Sequence, residues 1–67
     1  MEMIEVQSSA IARIGYENKI LRIEYHSGGC YDYQDVPEAV YESLMRSKSL
    51  GSFVAKYIQG VFKYIKL

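Results

Sequence analysis

In Lys19-Ile20-Leu21-Arg22-Ile23-Glu24-Tyr25-His26, apolar and polar side chains alternate without a break from Leu21 to His26. Period two is the signature of a strand with one buried face. Leu21, Ile23 and Tyr25 therefore point to a core, and Arg22, Glu24 and His26 point away from it. Upstream, Glu17-Asn18 reads as a short hairpin turn, because Asn tolerates the positive φ that such turns use. Ala10 to Tyr16 precedes it as a second strand. Its Ile11 and Ile14 are out of strict alternation, which predicts a bulge. Met3 to Gln7 alternates again, with Ile4 and Val6 inward, before Ser8-Ser9 interrupts the pattern.

Downstream, Ser27-Gly28-Gly29 turns the chain into Cys30–Gln34, a fourth strand that carries Tyr31 and Tyr33. Side chains at i and i+2 share a face. The two rings therefore form either an aromatic platform or one wall of the core. Asp35 has the chemistry of a helix N-cap, and Glu38 lies at the capping-box spacing from it. Pro37 in the first turn costs no hydrogen bond. Val36, Val40 and Leu44, with Tyr41 and Met45 beside them, make one helical stripe. Ser49 is the expected cap of a second helix, along which Leu50, Phe53, Val54, Tyr57 and Ile58 recur at helical spacing, and Gly60 ends it. Val61 to Leu67 reads as extended.

Short loops join strands that precede both helices, so the expected fold is α+β: an antiparallel sheet of about four strands, with two C-terminal helices packed on one face. The expected core is Ile4, Val6, Ile14, Leu21, Ile23, Tyr25, Val36, Val40, Leu44, Phe53 and Ile58. At 67 residues the chain is one domain, residues 1–67, with a thin core. Chains this short bury only about 60% of their unfolded surface.

A single cysteine, Cys30, excludes an internal disulfide framework, and one Cys with one His is too few for a closed zinc site. No cofactor or metal is expected. The acidic start (Glu2, Glu5) is unlike a signal peptide, and no apolar run approaches the ~18 residues of a membrane span. The expected location is cytoplasmic, away from membranes. No nucleophile has a base and an orienting third group at a suggestive spacing, so no catalytic residue is assigned.

The formal net charge of zero hides an asymmetry. Beyond Glu42 the chain has no acid, while Arg46, Lys48, Lys56, Lys63 and Lys66 alternate with Phe53, Tyr57, Phe62 and Tyr64. Bases interleaved with aromatics suit a nucleic-acid surface; a solvated lysine edge is the plainer alternative.

The order Val6-x-Ser8-Ser9-x-Ile11, Ile14-Gly15-Tyr16, Leu21-x-Ile23, Gly29-x-Tyr31-x-Tyr33, Val36-Pro37, Val40-Tyr41, Leu44 and Ser49-x-Gly51-x-Phe53 resembles the KTSC domain. The resemblance runs from about residue 6 to residue 58. That family consists of short proteins and also occurs as a C-terminal appendage of some bacterial lysyl-tRNA synthetases. Its Tyr-x-Tyr falls on Tyr31 and Tyr33, and its paired serines fall on Ser8 and Ser9. Where family members often have a second aromatic beside Phe53, this chain has Val54.

The synthetase association implies RNA binding by analogy. The leading expectation is a non-enzymatic module that contacts RNA, tRNA included, through Tyr31, Tyr33, Arg46, Lys48, Lys56 and Lys63. Ser8, Ser9 and Ser49 are candidate anion ligands. The alternative is a small homo-oligomer that acts through protein contacts or binds a nucleotide or another small anion.

Overall fold

A computed structural model of the chain describes Met1–Leu67. The two-residue turn Asn18-Lys19 sets the pairing of its sheet. Both residues have positive φ, 51° and 64°, which is the hairpin geometry whose twist matches the flanking strands. The turn thus lies one residue beyond the expected Glu17-Asn18. The elements are β1 (Met3–Glu5), β2 (Ile11–Glu17), β3 (Ile20–Tyr25), β4 (Cys30–Tyr33), α1 (Glu38–Arg46), α2 (Leu50–Phe53) and β5 (Tyr64–Lys66); a π-helical turn, Val54–Ile58, continues α2. The sheet is an antiparallel meander in the order β1-β2-β3-β4-β5. It has one strand more than expected, because the extended tail pairs with β4 and places Tyr33 beside Tyr64 and Tyr31 beside Lys66.

The bulge in β2 is present. The register shifts between Ile11 and Arg13, and this extra residue lets Ile11 and Ile14, three apart, both point inward at 0% exposure. Ile11, Ile14, Leu21, Ile23, Tyr33, Val36, Leu44, Val54 and Ile58 form the buried cluster, with Val6, Tyr25, Val40 and Phe53 packed partly against it. Ile4, expected in the core, is 45% exposed: it lies on the edge strand, beyond the cover of the helices. In the second helix the buried pair is Val54 and Ile58, whereas Tyr57 is exposed.

Asp35 does not cap α1. It has φ 57°, Pro37 occupies the N-cap position, and no side chain caps the helix. Two constraints explain this. A residue before proline avoids helical backbone, so Val36 cannot start the helix. Val36 also donates its N–H to the Lys19 carbonyl at 2.9 Å, which pins it against the hairpin turn as it buries its side chain. Ser49 does cap α2, accepting the Ser52 N–H at 3.3 Å, and Gly60 with φ 77° closes the helical segment.

The opposite sheet face is a ladder of charges. Arg13 and Glu24 are register partners joined by two hydrogen bonds of 2.9 and 3.1 Å, and Arg22 and Asp32 by two of 2.7 and 2.9 Å. The hydrogen bond to Asp32 raises the already high pKa of Arg22. The Arg13–Glu24 pair is exposed and adds little stability, the Arg22–Asp32 pair is partly buried, and together they occupy both arginines of the sheet. No helix is long and apolar enough to cross a membrane.

Candidate functional site

The helices do not reach across the whole inner face of the sheet. Where they stop, Tyr25 from β3, Tyr31 and Tyr33 from β4 and Tyr64 from β5 line one open cleft with Ser27 and Gln59, about 480 Å³ in volume. Strand alternation puts these rings together: Leu21, Ile23 and Tyr25 share the inner face of β3, and the β4–β5 register adds Tyr64 and Lys66 to the face of Tyr31 and Tyr33. Tyr31 meets Tyr64 edge-on at 5.4 Å between centroids and Tyr25 at 5.6 Å, and it stacks on Tyr33 at 6.3 Å. Such spacings are favourable for aromatic pairs. The Lys66 ammonium lies 5.9 Å from the Tyr31 ring centre, within cation–π range.

A polar chain runs along the cleft. The Gln59 side-chain amide donates to the Tyr25 hydroxyl at 3.1 Å, and the Tyr25 and Tyr33 hydroxyls are 3.1 Å apart. Gln59 reaches this position at the end of the π-helical turn, where its backbone N–H bonds to the Val54 carbonyl five residues back at 2.8 Å. Wide turns of this type are frequent at functional sites.

Of the pair, Tyr33 is a core wall at 3% exposure, while Tyr31 is half-buried. Tyr64 is 57% exposed. Tyr25, Gln59, Tyr64 and Lys66 were not singled out for this cleft from the sequence. The inward phase of β3 pointed to Tyr25, but only the β4–β5 pairing brings in Tyr64 and Lys66.

The other predicted residues fall elsewhere. Ser8, Ser9, Lys48 and Ser49 come together with Ser52 around a second, polar cleft of about 450 Å³. Two of these hydroxyls serve the local backbone. Ser8 accepts the N–H groups of Ala10 and Ile11 at 3.2 and 3.1 Å, and Ser49 caps α2. Arg46 borders a shallow depression beside Tyr41 and Met45, Lys63 borders one beside Tyr64, and Lys56 is exposed on the π-helical turn. None of Arg46, Lys48, Lys56, Lys63 and Lys66 is in an ion pair. A third, apolar groove of about 430 Å³ runs between Val40 and Ser43 on one side and Phe53, Tyr57 and Phe62 on the other.

Burial first, then the hydrogen bond with Tyr25, pushes the Tyr33 hydroxyl well above its usual 10.0. Burial first, then nearby Glu38, raises Tyr16, whose hydroxyl donates to the Val36 carbonyl at 2.5 Å. Both groups stay protonated in the folded state beyond the pH at which the unfolded chain ionises them. Their contribution is complete below about pH 10 and is lost as pH rises through the folded values. The urea midpoint is expected to hold steady between about pH 7 and 9 and to fall above about pH 10. In Tyr33→Phe that alkaline fall should be shallower; urea unfolding followed by circular dichroism checks it.

The sequence profile of the KTSC domain matches residues 7–62. A lysine–tRNA ligase of Nostoc punctiforme is 37% identical over 67 residues, 97% of this chain but 12% of that protein. The chain therefore spans only a small part of the ligases it matches. An uncharacterized protein of Stutzerimonas stutzeri is 37% identical over 65 residues, 94% of this chain and 86% of its own length. Among solved structures, the crystal structure of a KTSC domain protein from Yersinia pestis superposes with a TM-score of 0.95 at 35% identity, covering 98% of this chain and 96% of that one.

Proposed function

The chain belongs to the KTSC domain family, and from that membership together with the tyrosine cleft we propose that it is a non-enzymatic module that binds single-stranded RNA. The observation that carries the reading is the cleft itself: an open cleft lined by four tyrosines of one sheet face, with Tyr64 exposed and a lysine ammonium over the Tyr31 ring. Aromatic side chains on a sheet stack unpaired bases with little regard to sequence, and neighbouring cations neutralise the phosphates. Lys66 lies over the Tyr31 ring, and Lys63 precedes Tyr64. Arg46, Lys48 and Lys56 extend the unpaired positive charge over the helices. The arginines of the opposite face are held by carboxylates, which directs the attraction toward the helix side.

Two further facts favour binding over catalysis. The His26 ring faces the Ser8 carbonyl at 3.0 Å rather than a nucleophile. Burial raises the Cys30 thiol pKa, which lowers its thiolate fraction. The name of the Nostoc relative makes tRNA the first RNA to try.

The test is fluorescence anisotropy of labelled tRNA and of an unstructured oligoribonucleotide at several salt concentrations. Binding is expected at low salt and should weaken steeply as salt rises, with a log–log slope of about −0.7 per phosphate contacted. Absence of binding at low salt, where electrostatic attraction is strongest, overturns the reading.

A further inference from the structure

Of the rings in the cleft, Tyr64 is the one left open. Tyr33 is 3% exposed, whereas Tyr64 is 57% exposed while its ring lies 5.4 and 5.8 Å from those of Tyr31 and Tyr33. These centroid distances leave no gap in which a base could be sandwiched between rings, so stacking must use the outer face of Tyr64. Lys66 follows two residues later on the same side of β5, about 6–7 Å along the strand. Gln59 borders the same cleft. One of its amide hydrogens is used by Tyr25, while its side-chain oxygen and second N–H have no partner within the protein.

Resting on the RNA reading above, we propose that Tyr64, Gln59 and Lys66 form a subsite for one unpaired nucleotide of an RNA strand. Tyr64 stacks the base, the Gln59 amide meets its Watson–Crick edge, and Lys66 leaves the Tyr31 ring to contact a phosphate. An amide offers one donor beside one acceptor, a pair that the Watson–Crick edge of adenine meets with N1 and N6–H and that the Watson–Crick edges of the other bases can also meet. The subsite therefore discriminates unpaired from paired bases more than one base from another. Within a duplex that edge is already paired and both faces of the base are stacked.

The test uses the full chain and a decaribonucleotide with one 2-aminopurine, whose fluorescence is quenched by stacking, beside the same strand annealed to its complement. The wild type and Tyr64→Phe should bind the single strand and quench it. Tyr64→Ala should bind about tenfold or more weakly without quenching, and Gln59→Leu should narrow the preference for single strand over duplex. Tyr64 and Gln59 are exposed, so both variants are expected to fold; Tyr64→Phe, which retains the ring, controls for a change in fold. Binding and quenching that survive Tyr64→Ala unchanged overturn the subsite while leaving RNA binding intact. Failure of the wild type to bind either RNA at low salt overturns RNA binding itself, and the subsite with it.

Discussion

Ile23→Ala is expected to lower the melting temperature by about 10–40 °C, or to abolish cooperative melting altogether. Ile23 is fully buried at the centre of β3, with Ile14 and Tyr31 as its register partners on either side. Truncating a buried isoleucine to alanine costs about 2–5 kcal/mol, because both transfer energy and contacts around the new cavity are lost. At 0.05–0.15 kcal/mol per residue, a chain of 67 residues has about 3–10 kcal/mol in total. One truncation thus removes a large share of the stability, with no disulfide to compensate. Ile4→Ala is the control. That residue is 45% exposed on the edge strand, and its loss should cost under about 1 kcal/mol. Thermal unfolding by circular dichroism compares the two; equal shifts would contradict the placement of the core.

Tyr31→Leu is expected to weaken binding of single-stranded RNA by about 5- to 150-fold, because the base stack on Tyr64, worth about 1–3 kcal/mol, loses the ring behind it. Tyr31 is the hub of the cleft, in contact with Tyr25, Tyr33, Tyr64 and Lys66. Leucine keeps apolar bulk against the core but gives Lys66 no aromatic face to rest on. It also removes the ring that supports Tyr64 from behind. Tyr31→Phe keeps both functions and should bind within about threefold of wild type, since no hydroxyl hydrogen bond of Tyr31 is lost. Anisotropy titrations of the three proteins against one oligoribonucleotide decide it, and equal affinity for all three would contradict a role for the ring.

Most of the fold was legible because its signals were local. The alternation from Leu21 to Tyr25 set the inner face of the sheet, and the broken phase between Ile11 and Ile14 announced the bulge. Ser49 and Gly60 bounded the second helix by cap chemistry alone. The misreadings have local causes too. Asp35 resembled an N-cap, but the proline two residues on forbids helical backbone at Val36, and the backbone bond from Val36 to Lys19 pins the segment. Ile4 alternated like a core residue, yet alternation gives the face of a strand and not how far the helices reach over it.

The candidate site was only half visible. Tyr31 and Tyr33 stood out as a same-face pair, but their partners Tyr64 and Lys66 lie more than thirty residues away. They reach the pair only through a three-residue strand too short to show a period. Gln59 joins through the π-helical turn, which helical spacing rules do not anticipate. The serines at positions 8, 9 and 49 converge with Lys48, a proximity that no spacing in the sequence contains.

The measurement that bears most directly on the tyrosine cleft as an RNA site is a titration of the isotope-labelled protein with an unstructured oligoribonucleotide, followed by amide chemical shifts. The expected perturbations centre on Tyr25, Tyr31, Tyr33, Gln59, Tyr64 and Lys66, with weaker changes at Lys63. Shifts centred on the Ser8–Ser9 and Lys48–Ser49 cleft or on the apolar groove at Phe53 and Tyr57, or no shifts at low salt, would contradict it.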